Sequence, residues 1–390
     1  MTSRVVVLGA GAGGLSAANR LAARAGGGPD LDIVLVDRSR EHVFLPGYVP
    51  MMLDGAPAES FRRPLQDLLR PGVRQVNGEV TGLDPDASSV HGTFGTLEYD
   101  HLVVALGVDV GWPGDAGSAG ELAPWTLDGA LAGRKALHGL GEGDRVVVGP
   151  SGVSYRCPPA VFDLAVRIKA ATRARVDIVH PWPRPLAPFG EGPAAAFAAM
   201  LDSAGVGFHG EFHLAQADGG TVRSADGREL PYDAAILVPP HRVPSVVARS
   251  PLTGENGWPE VTFPTFGHPR YPAVSVIGDL AAPALKVGMA GTLAAFQAAH
   301  VADRIAAELL AGDSGNPASP PPGEPVMSAI CFVDPGDTGS FLHCDFTAPA
   351  SGRGPADCTL MPWLPYFRHA KRLFAREWFE SMVSGDVGGR

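Results

Sequence analysis

The first forty residues contain the pattern that most limits what this chain can fold into. A short apolar run, Arg4-Val-Val-Val-Leu8, leads into the turn Gly9-Ala-Gly11-Ala-Gly-Gly14, and a helical stretch follows from Leu15 to Ala23. A second apolar run, Leu31 to Val36, ends in Asp37. Strand, glycine turn, helix, strand and terminal acid, in this order, predict a Rossmann βαβ unit.

Such a unit predicts a bound dinucleotide. The turn glycines let the backbone approach a pyrophosphate, and the helix N-terminus offers it unpaired N–H groups. Asp37 stands where a carboxylate reaches a ribose. A distant strand ends in the turn Gly278-Asp279, and one long alanine-rich helix is predicted over 286–311. A carboxylate and a helix start at this point suit a polyhydroxyl chain such as ribitol, so the predicted cofactor is FAD.

A second unit of the same kind follows, but its nucleotide turn is degenerate. A strand from Asp144 ends in Gly149-Pro-Ser-Gly152, a helix is predicted over Pro158 to Ala170, and the next strand ends in His180. The turn lacks the G-x-G-x-x-G spacing, and a histidine stands where an acid would bind ribose. We therefore expect an electron donor other than NAD(P)H.

These patterns predict an α/β protein with two Rossmann-like domains, of the FAD- or NAD(P)-binding, glutathione-reductase-like kind, and a C-terminal helical tail. The glycine-stopped strand Tyr99–Gly107 closes the first segment. The predicted boundaries are 1–110 with 241–312 for a discontinuous FAD-binding domain, 111–240 for the second domain, 313–325 for a linker, and 326–390 for a C-terminal segment with a redox cysteine and a membrane-surface helix.

Composition excludes several classes of function. The formal net charge of −10 argues against a nucleic-acid partner, because phosphate binding needs a basic face. No run of about 18 apolar residues predicts a membrane-spanning helix. The N-terminus passes directly into a strand, which predicts a cytoplasmic location. The four cysteines lack metal-ligand spacing, so no metal site is predicted, and the oligomeric state stays open, a homo-oligomer included.

The tail contains an aromatic stripe with interleaved cations. Apolar residues recur every three or four positions, at Trp363, Phe367, Ala370, Phe374, Trp378 and Met382, with Arg368, Lys371, Arg372 and Arg376 between them. Such a stripe suits a membrane interface, which would place 363–383 on the inner face of the cell membrane. It suits equally a helix packed on its own domain, and both interpretations stay open.

In the order of these features the chain resembles the two-dinucleotide-binding-domain flavoproteins. Within them it is similar to sulfide:quinone oxidoreductase and to the flavoprotein subunit of flavocytochrome c sulfide dehydrogenase. The resemblance covers nearly the whole chain and is carried by Gly9–Gly14, Tyr99–Gly107, Tyr155-Arg-Cys157-Pro-Pro-Ala160, Val238-Pro-Pro240, Ile277-Gly-Asp279, Lys286 and Ala329-Ile-Cys331-Phe-Val333. The Arg-Cys-Pro-Pro segment is the most specific, because generic pyridine-nucleotide reductases keep glycines there.

The resemblance implies that Cys157 and Cys331 form a redox pair beside the flavin. Cys157 stands where an N-cap would, before Pro158, so the helix dipole would also favour its thiolate. Cys344 and Cys358 match no family position and are expected to be small buried residues. The residues expected to bind the cofactor are Gly9, Gly11, Gly14, Asp37, Val80, Gly107, Gly278, Asp279 and Lys286, the last at the start of the long helix.

The activity implied by the resemblance is oxidation of sulfide, or of a related thiol or persulfide, with electrons passed through FAD to a quinone. Hydrosulfide would attack a Cys157–Cys331 disulfide and leave a persulfide on one sulfur. Two departures stand out: no cysteine precedes Cys157, which excludes covalent flavin attachment through one and leaves the exit of sulfur open, and Leu106 replaces the usual threonine. The alternatives are a flavocytochrome c-type subunit, a type II NADH dehydrogenase-like enzyme, and a redox-inactive flavin-bound interaction protein.

Overall fold

The structure, a computed structural model, describes residues 2–26, 31–112, 122–310 and 323–384. The α-helices of these ranges are α1 Ala12–Ala25, α2 Tyr48–Leu53, α3 Leu127–Leu137, α4 Pro159–Thr172, α5 Glu191–Ala204, α6 Ser245–Ala248, α7 Ala282–Leu285, α8 Gly291–Leu310, α9 Thr347–Ala350 and α10 Tyr366–Ser384. Short 3₁₀ turns lie at Leu45–Gly47, Ala58–Phe61, Leu65–Asp67, Ala187–Phe189 and Gly278–Leu280.

The strands follow in chain order. They are β1 Ser3–Leu8, β2 Leu31–Asp37, β3 Glu41–Val43, β4 Arg62–Pro64, β5 Val73–Asn77, β6 Val80–Asp84, β7 Ser89–Gly92, β8 Gly95–Glu98, β9 His101–Val104, β10 Asp109–Val110, β11 Arg145–Pro150, β12 Arg175–Val179, β13 Gly207–His209, β14 Leu214–Asp218, β15 Thr221–Ser224, β16 Glu229–Pro231, β17 Ala234–Val238, β18 His241–Arg242, β19 Val274–Val276, β20 Ser328–Val333, β21 Ser340–Asp345 and β22 Asp357–Leu360.

Two parallel sheets form the framework. The first has the order β19-β9-β1-β2-β5, and the second has the order β13-β12-β11-β17. Their central strands are continuous apolar runs because both faces of each sheet are buried, and Val5, Val6 and Val7 are fully buried. The predicted α/β class with two Rossmann-like units is confirmed.

The last strand of the first sheet comes from a distant part of the chain. Strand β19 pairs in parallel with β9, with Val274 opposite Leu102. Helix α8 then packs against α1, and both helices begin at the same edge of the sheet. The first sheet therefore brings the turn after β1 and the turn after β19 together, which positions the site described below.

The prediction of one long helix over 286–311 is wrong for the first part of that range. Helix α7 ends at Leu285, Lys286 has a left-handed backbone with φ of 56°, and α8 starts only at Gly291. The intervening segment is extended because Met289 forms a bridge with Arg156 and accepts a hydrogen bond from the Cys157 amide at 3.1 Å. This pairing with Arg156 and Cys157 uses backbone groups of Met289 that a helix would need for its own hydrogen bonds.

The C-terminal segment is less helical than the sequence predicts. Strands β20, β21 and β22 form an antiparallel sheet, and α10 follows it. Cys344 and Cys358 lie opposite each other in this sheet and form a disulfide, which corrects the expectation that both are ordinary buried residues. Of the predicted linker, residues 313–322 lie outside the described residues. No helix in the described ranges has the length and apolar character needed to cross a membrane.

Candidate active site

A cavity of about 640 Å³ lies at the carboxyl ends of the strands of the first sheet and continues to the start of α4. Ligands of open α/β sheets bind at this edge. The predicted site residues that line the cavity are Gly9, Gly11, Asp37, Val80, Gly107, Gly278, Asp279, Cys157 and Cys331. The structure therefore brings the expected cofactor residues and the two cysteines into one space.

The glycine turn has the geometry that a dinucleotide requires. Gly9 has φ of +93°, and a Cβ there would lie 2.5 Å from the Ala105 carbonyl oxygen. A Cβ on Gly14 would lie 1.8 Å from the Gly9 carbonyl oxygen. A Cβ on Gly11 would instead meet no protein atom, although Gly11 lines the cavity. Gly9 and Gly14 thus permit the tight turn, while Gly11 leaves room for a ligand to approach the backbone.

Asp37 holds this turn as well as facing the cavity. Its carboxylate accepts hydrogen bonds from the backbone N–H groups of Ala10 and Ser39, each at 2.6 Å. Asp37 nevertheless remains partly exposed at the end of β2. A fixed acid at this position fits the ribose hydroxyls of an adenosine, as the sequence predicts.

The turn after β19 is fixed in a similar way. The Gly278 amide donates to the Gln297 side-chain oxygen at 2.7 Å, which links the turn to α8. The Asp279 carboxylate forms an ion pair with Arg156 at 2.6 Å. Arg156 precedes Cys157, so this ion pair joins the cofactor turn to the cysteine segment of the second unit.

Two predicted cofactor residues do not line the cavity. Gly14 is buried beneath the turn, and its role is the close approach to Gly9 described above. Lys286 is exposed at the end of α7 and lies outside the cavity wall. The change from the expected helix start to a left-handed residue explains the position of Lys286.

The sulfur atoms of Cys157 and Cys331 are 3.4 Å apart. Both cysteines are free thiols, and a disulfide between them needs the sulfurs to close to about 2.05 Å. Cys157 has φ of 52°, a backbone conformation that L side chains rarely adopt and that concentrates at functional sites. The helix N-cap is Pro158, one residue later than the sequence predicts, and the Cys157 carbonyl accepts from the Ala160 amide.

A buried charge pair lies beside the two sulfurs. The Lys371 ammonium contacts the Asp163 carboxylate at 3.1 Å, and Asp163 also accepts from the Asp334 amide at 2.6 Å. The hydrogen bond with Cys331, and then the charge of Lys371, lower the pKa of Cys157 against the effect of burial. The same hydrogen bond and burial raise the pKa of Cys331. Cys157 is therefore the more acidic thiol of the pair.

The histidines near the cavity are held neutral. Burial lowers the pKa of His241 to about 4, and its Nε2 accepts from the Arg156 amide at 3.2 Å. Burial also lowers the pKa of His42, whose Nδ1 donates to the Ala10 carbonyl while Nε2 accepts from the Trp378 indole. His343 lies on β21 and contacts the Ser328 hydroxyl at 2.9 Å, away from the cavity wall.

The aromatic stripe of α10 packs on the protein itself. Trp378 is 6% exposed, and a Cβ on Gly291 would lie 2.8 Å from its ring. The Phe44 ring packs on Trp378 with centroids 5.4 Å apart, and the Phe374 ring packs on Phe332 at 5.2 Å. These rings of the stripe therefore pack on the protein itself. They form one wall of the cavity.

The place of a second nucleotide is filled by side chains of the protein. His180 is fully buried at the end of β12, and the Tyr155 hydroxyl contacts its Nε2 at 3.0 Å. The His180 ring stacks on Phe162 at 5.6 Å and lies 4.3 Å from the Trp182 ring. Tyr155 comes from the degenerate turn itself, so this turn packs on the buried histidine that ends β12.

Sequence reasoning missed several residues of the site. Arg156, Asp163, Lys371 and Trp125 line the cavity but belong to no glycine motif. Asp163 had one available signal, since it is a lone acid in the apolar helix that follows Cys157. Trp125 had none, because its contact with the Arg156 carbonyl at 3.0 Å is purely tertiary.

Fold and cavity together define a flavoprotein with two dinucleotide-binding units, the second of which has a degenerate turn followed by Cys157. A family model for pyridine nucleotide-disulphide oxidoreductases matches residues 3–304. The chain belongs to this family, and it is an FAD-dependent oxidoreductase that resembles sulfide:quinone oxidoreductase.

Individual relatives agree with this assignment. The mitochondrial sulfide:quinone oxidoreductase of Mus musculus is 24% identical over 298 residues, which cover 70% of this chain and 65% of that enzyme. The type II NADH:quinone oxidoreductase Ndh of Mycobacterium tuberculosis is 29% identical over 357 residues, which cover 82% of this chain and 75% of the relative. The sulfide:quinone oxidoreductase of Aquifex aeolicus superposes with a TM-score of 0.81 at 20% identity, over 100% of this chain and 93% of that one.

Proposed function

We propose that the protein oxidises sulfide through the Cys157–Cys331 pair and passes the electrons through FAD to a quinone. The observation that supports this most is the 3.4 Å separation of the two sulfurs in the wall of the cofactor cavity. Relatives that act on sulfide and quinone agree with it, but the mouse enzyme is matched over less than two thirds of its length. The substrate is therefore part of the proposal.

The first step is thiol–disulfide exchange. Hydrosulfide attacks the Cys331 sulfur of a Cys157–Cys331 disulfide, the S–S bond breaks, and Cys157 leaves as a thiolate. The sulfur atom stays on Cys331 as a persulfide. The charge of Lys371 favours the ionised form of Cys157 and would stabilise the leaving thiolate, which makes Cys157 the better leaving group.

The cofactor cavity supplies the next carrier. Gly9, Gly11 and Asp37 would hold the adenosine and pyrophosphate, and Gly278 with Asp279 would hold the ribitol. Bound FAD would supply a two-electron acceptor for the Cys157 thiolate and the Cys331 persulfide, whose oxidation leaves the sulfane sulfur bridging the two cysteines, and a donor for the quinone. In total, sulfide loses two electrons and ends as sulfane sulfur, while a quinone gains two electrons and two protons.

We propose that the quinone approaches from the side of α10. The rings of Phe332 and Phe374 line the cavity there, and an apolar wall suits a quinone ring. Tyr366 and Leu373 on the same helix are 67% and 44% exposed, which offers apolar contact to a lipid surface. The proposal also includes a cytoplasmic location and a peripheral position on the membrane. It keeps the predicted domain boundaries, which are 1–110 with 241–312, 111–240 and 326–390.

The type II NADH:quinone oxidoreductases give a second candidate, since one of them is the more similar relative in sequence. The filled space around Tyr155 and His180 argues against it. Anaerobic titration of the purified protein, followed through the flavin absorbance band, separates the two. We expect sulfide to bleach the flavin and a soluble quinone to restore it. Bleaching by NADH and not by sulfide would overturn the proposal.

A further inference from the structure

The Cys344–Cys358 disulfide lies on the same face of its sheet as Cys331. In strand β20, Ala329 and Cys331 are two residues apart and therefore point to one face. Ala329 is opposite Cys344, and Cys344 is opposite Cys358. Directly opposed residues of antiparallel strands share a face. Three of the four cysteines thus stand together on this small sheet.

A small gap lies between this disulfide, the outer disulfide, and the Cys157–Cys331 pair, the inner pair. It has a volume of about 20 Å³, enough for one water-sized group, and both Cys331 and Cys344 line it. Cys331 also lines the main cavity, so it faces both spaces. Diagonal neighbours of an antiparallel pair have Cα atoms roughly 7–8 Å apart, so a bond between Cys331 and Cys344 requires the two strands to move closer.

The two sulfurs of the outer disulfide differ in exposure. Cys344 is 2% exposed and faces the gap, whereas Cys358 is half-buried on the edge strand β22. An incoming thiolate therefore reaches Cys358 more readily than Cys344. Attack at Cys358 would release Cys344 as the thiolate, on the side that faces Cys331.

We propose that the Cys344–Cys358 disulfide is a second redox centre that passes two electrons from an external dithiol to the Cys157–Cys331 pair. The inference rests on the proposed function for the inner pair and adds a donor class, low-molecular-weight or protein dithiols. It also assigns a role to two cysteines that no position of the family resemblance explains.

The exchange balances in atoms and electrons. A donor thiolate attacks Cys358, forms a mixed disulfide and frees Cys344, which attacks Cys331 and frees the Cys157 thiolate. The second donor thiol then displaces Cys358, and the donor leaves as a disulfide. Cys358 attacks Cys344, restores the outer disulfide and frees Cys331. The donor has lost two electrons, and the Cys157–Cys331 disulfide has become a dithiol.

The first test uses the FAD-bound protein under anaerobic conditions. The double variant Cys344→Ser/Cys358→Ser is compared with the wild type, with dithiothreitol and sulfide as alternative donors. We expect dithiothreitol to reduce the flavin of the variant at least tenfold more slowly, while sulfide reduces both proteins at equal rates. Equal rates with dithiothreitol would overturn the inference. Failure of sulfide to reduce either protein would count against the proposed function instead.

The second test needs no electron donor. The variant Cys157→Ser/Cys358→Ser retains Cys331 and Cys344, and the matched control Cys157→Ser/Cys344→Ser retains Cys331 and Cys358. After mild oxidation with diamide and cleavage by chymotrypsin, we expect mass spectrometry to find a Cys331–Cys344 link in the first variant alone. Absence of this link, or an equal Cys331–Cys358 link in the control, would contradict the exchange path.

Discussion

The sulfurs of Cys157 and Cys331 lie 3.4 Å apart although 174 residues separate them in the chain. One sulfur precedes a helix of the second Rossmann-like unit, and the other lies on a strand of the C-terminal sheet. Their meeting depends on the Arg156–Met289 bridge and on the packing of β20 beside α4 and α8. The proposed redox site therefore depends on contacts between distant parts of the chain.

Loss of Lys371 should raise the pKa of Cys157. The ammonium stabilises the thiolate, so Lys371→Met removes a charge that favours ionisation. In the reduced protein, the pH at which iodoacetamide alkylates Cys157 at half its maximal rate should move upward. Arg376→Met changes an exposed cation of the same helix and should leave this pH unchanged. An unmoved midpoint in Lys371→Met would show that Lys371 does not act on the sulfur.

Gly11→Ala should weaken FAD binding without harming the fold. Its Cβ would meet no protein atom but would enter the space expected for the pyrophosphate. We expect the dissociation constant of FAD, measured by fluorescence quenching on the apoprotein, to rise at least tenfold, about 1.4 kcal/mol. Gly152→Ala, whose Cβ is equally free in the degenerate turn, should bind FAD normally. Unchanged affinity in Gly11→Ala would place the pyrophosphate elsewhere.

His180 should make the protein less stable in acid. Burial lowers its pKa in the folded state to about 3, below the usual histidine value of 6.5, so the unfolded state binds the proton more tightly. Stability is therefore lost as the pH falls from about 7 towards 3, by roughly 2 kcal/mol between pH 7 and 5.

His180→Phe tests this prediction. The ring keeps its contacts with Phe162 and Trp182 but can no longer titrate. The free energy of unfolding in urea is measured at pH 7 and at pH 5 for both proteins. The decrease between the two pH values should be smaller in the variant by roughly 2 kcal/mol. Loss of the Tyr155 hydrogen bond lowers stability at both pH values and does not affect the comparison. An identical pH dependence in both proteins would assign the acid sensitivity to other groups.

The exposed side chains of α10 should govern binding to lipid. Tyr366→Ala/Leu373→Ala removes apolar area from the outer face of the helix and leaves the packed Trp378 in place. We expect the variant to sediment several-fold less with vesicles that contain anionic lipid. The control variant Leu131→Ala removes a leucine side chain, as Leu373→Ala does, from a position on α3 that is 52% exposed. This control should sediment like the wild type. Equal sedimentation of all three proteins would reject the proposed membrane face.

Local patterns predict the parts of the site that lie within one βαβ unit. Gly9, Gly11 and Asp37 were accessible to sequence reasoning because their roles follow from spacing along a strand, a turn and a helix. The Lys371–Asp163 pair was not, because it joins residues 208 positions apart through tertiary packing. Lys286 was misplaced for a related reason: the bridge between Met289 and Arg156 breaks the helix that alanine content favours.

The orientation of α10 shows the same limit. Its amphipathic pattern is equally compatible with a lipid surface and a protein core. Only tertiary packing shows that the Trp378 side of the helix lies against the protein. The Cys344–Cys358 disulfide likewise follows from strand register, which the sequence of β21 and β22 does not specify by itself.

The most direct measurement of the central claim is the rate of anaerobic flavin reduction by sulfide in Cys157→Ser and Cys331→Ser, each purified with FAD bound. Serine keeps the size of the side chain but cannot take part in disulfide exchange, so we expect both variants to retain the yellow colour and lose at least 10²-fold in rate. Reduction of both variants at the wild-type rate would show that sulfide does not react through the Cys157–Cys331 pair.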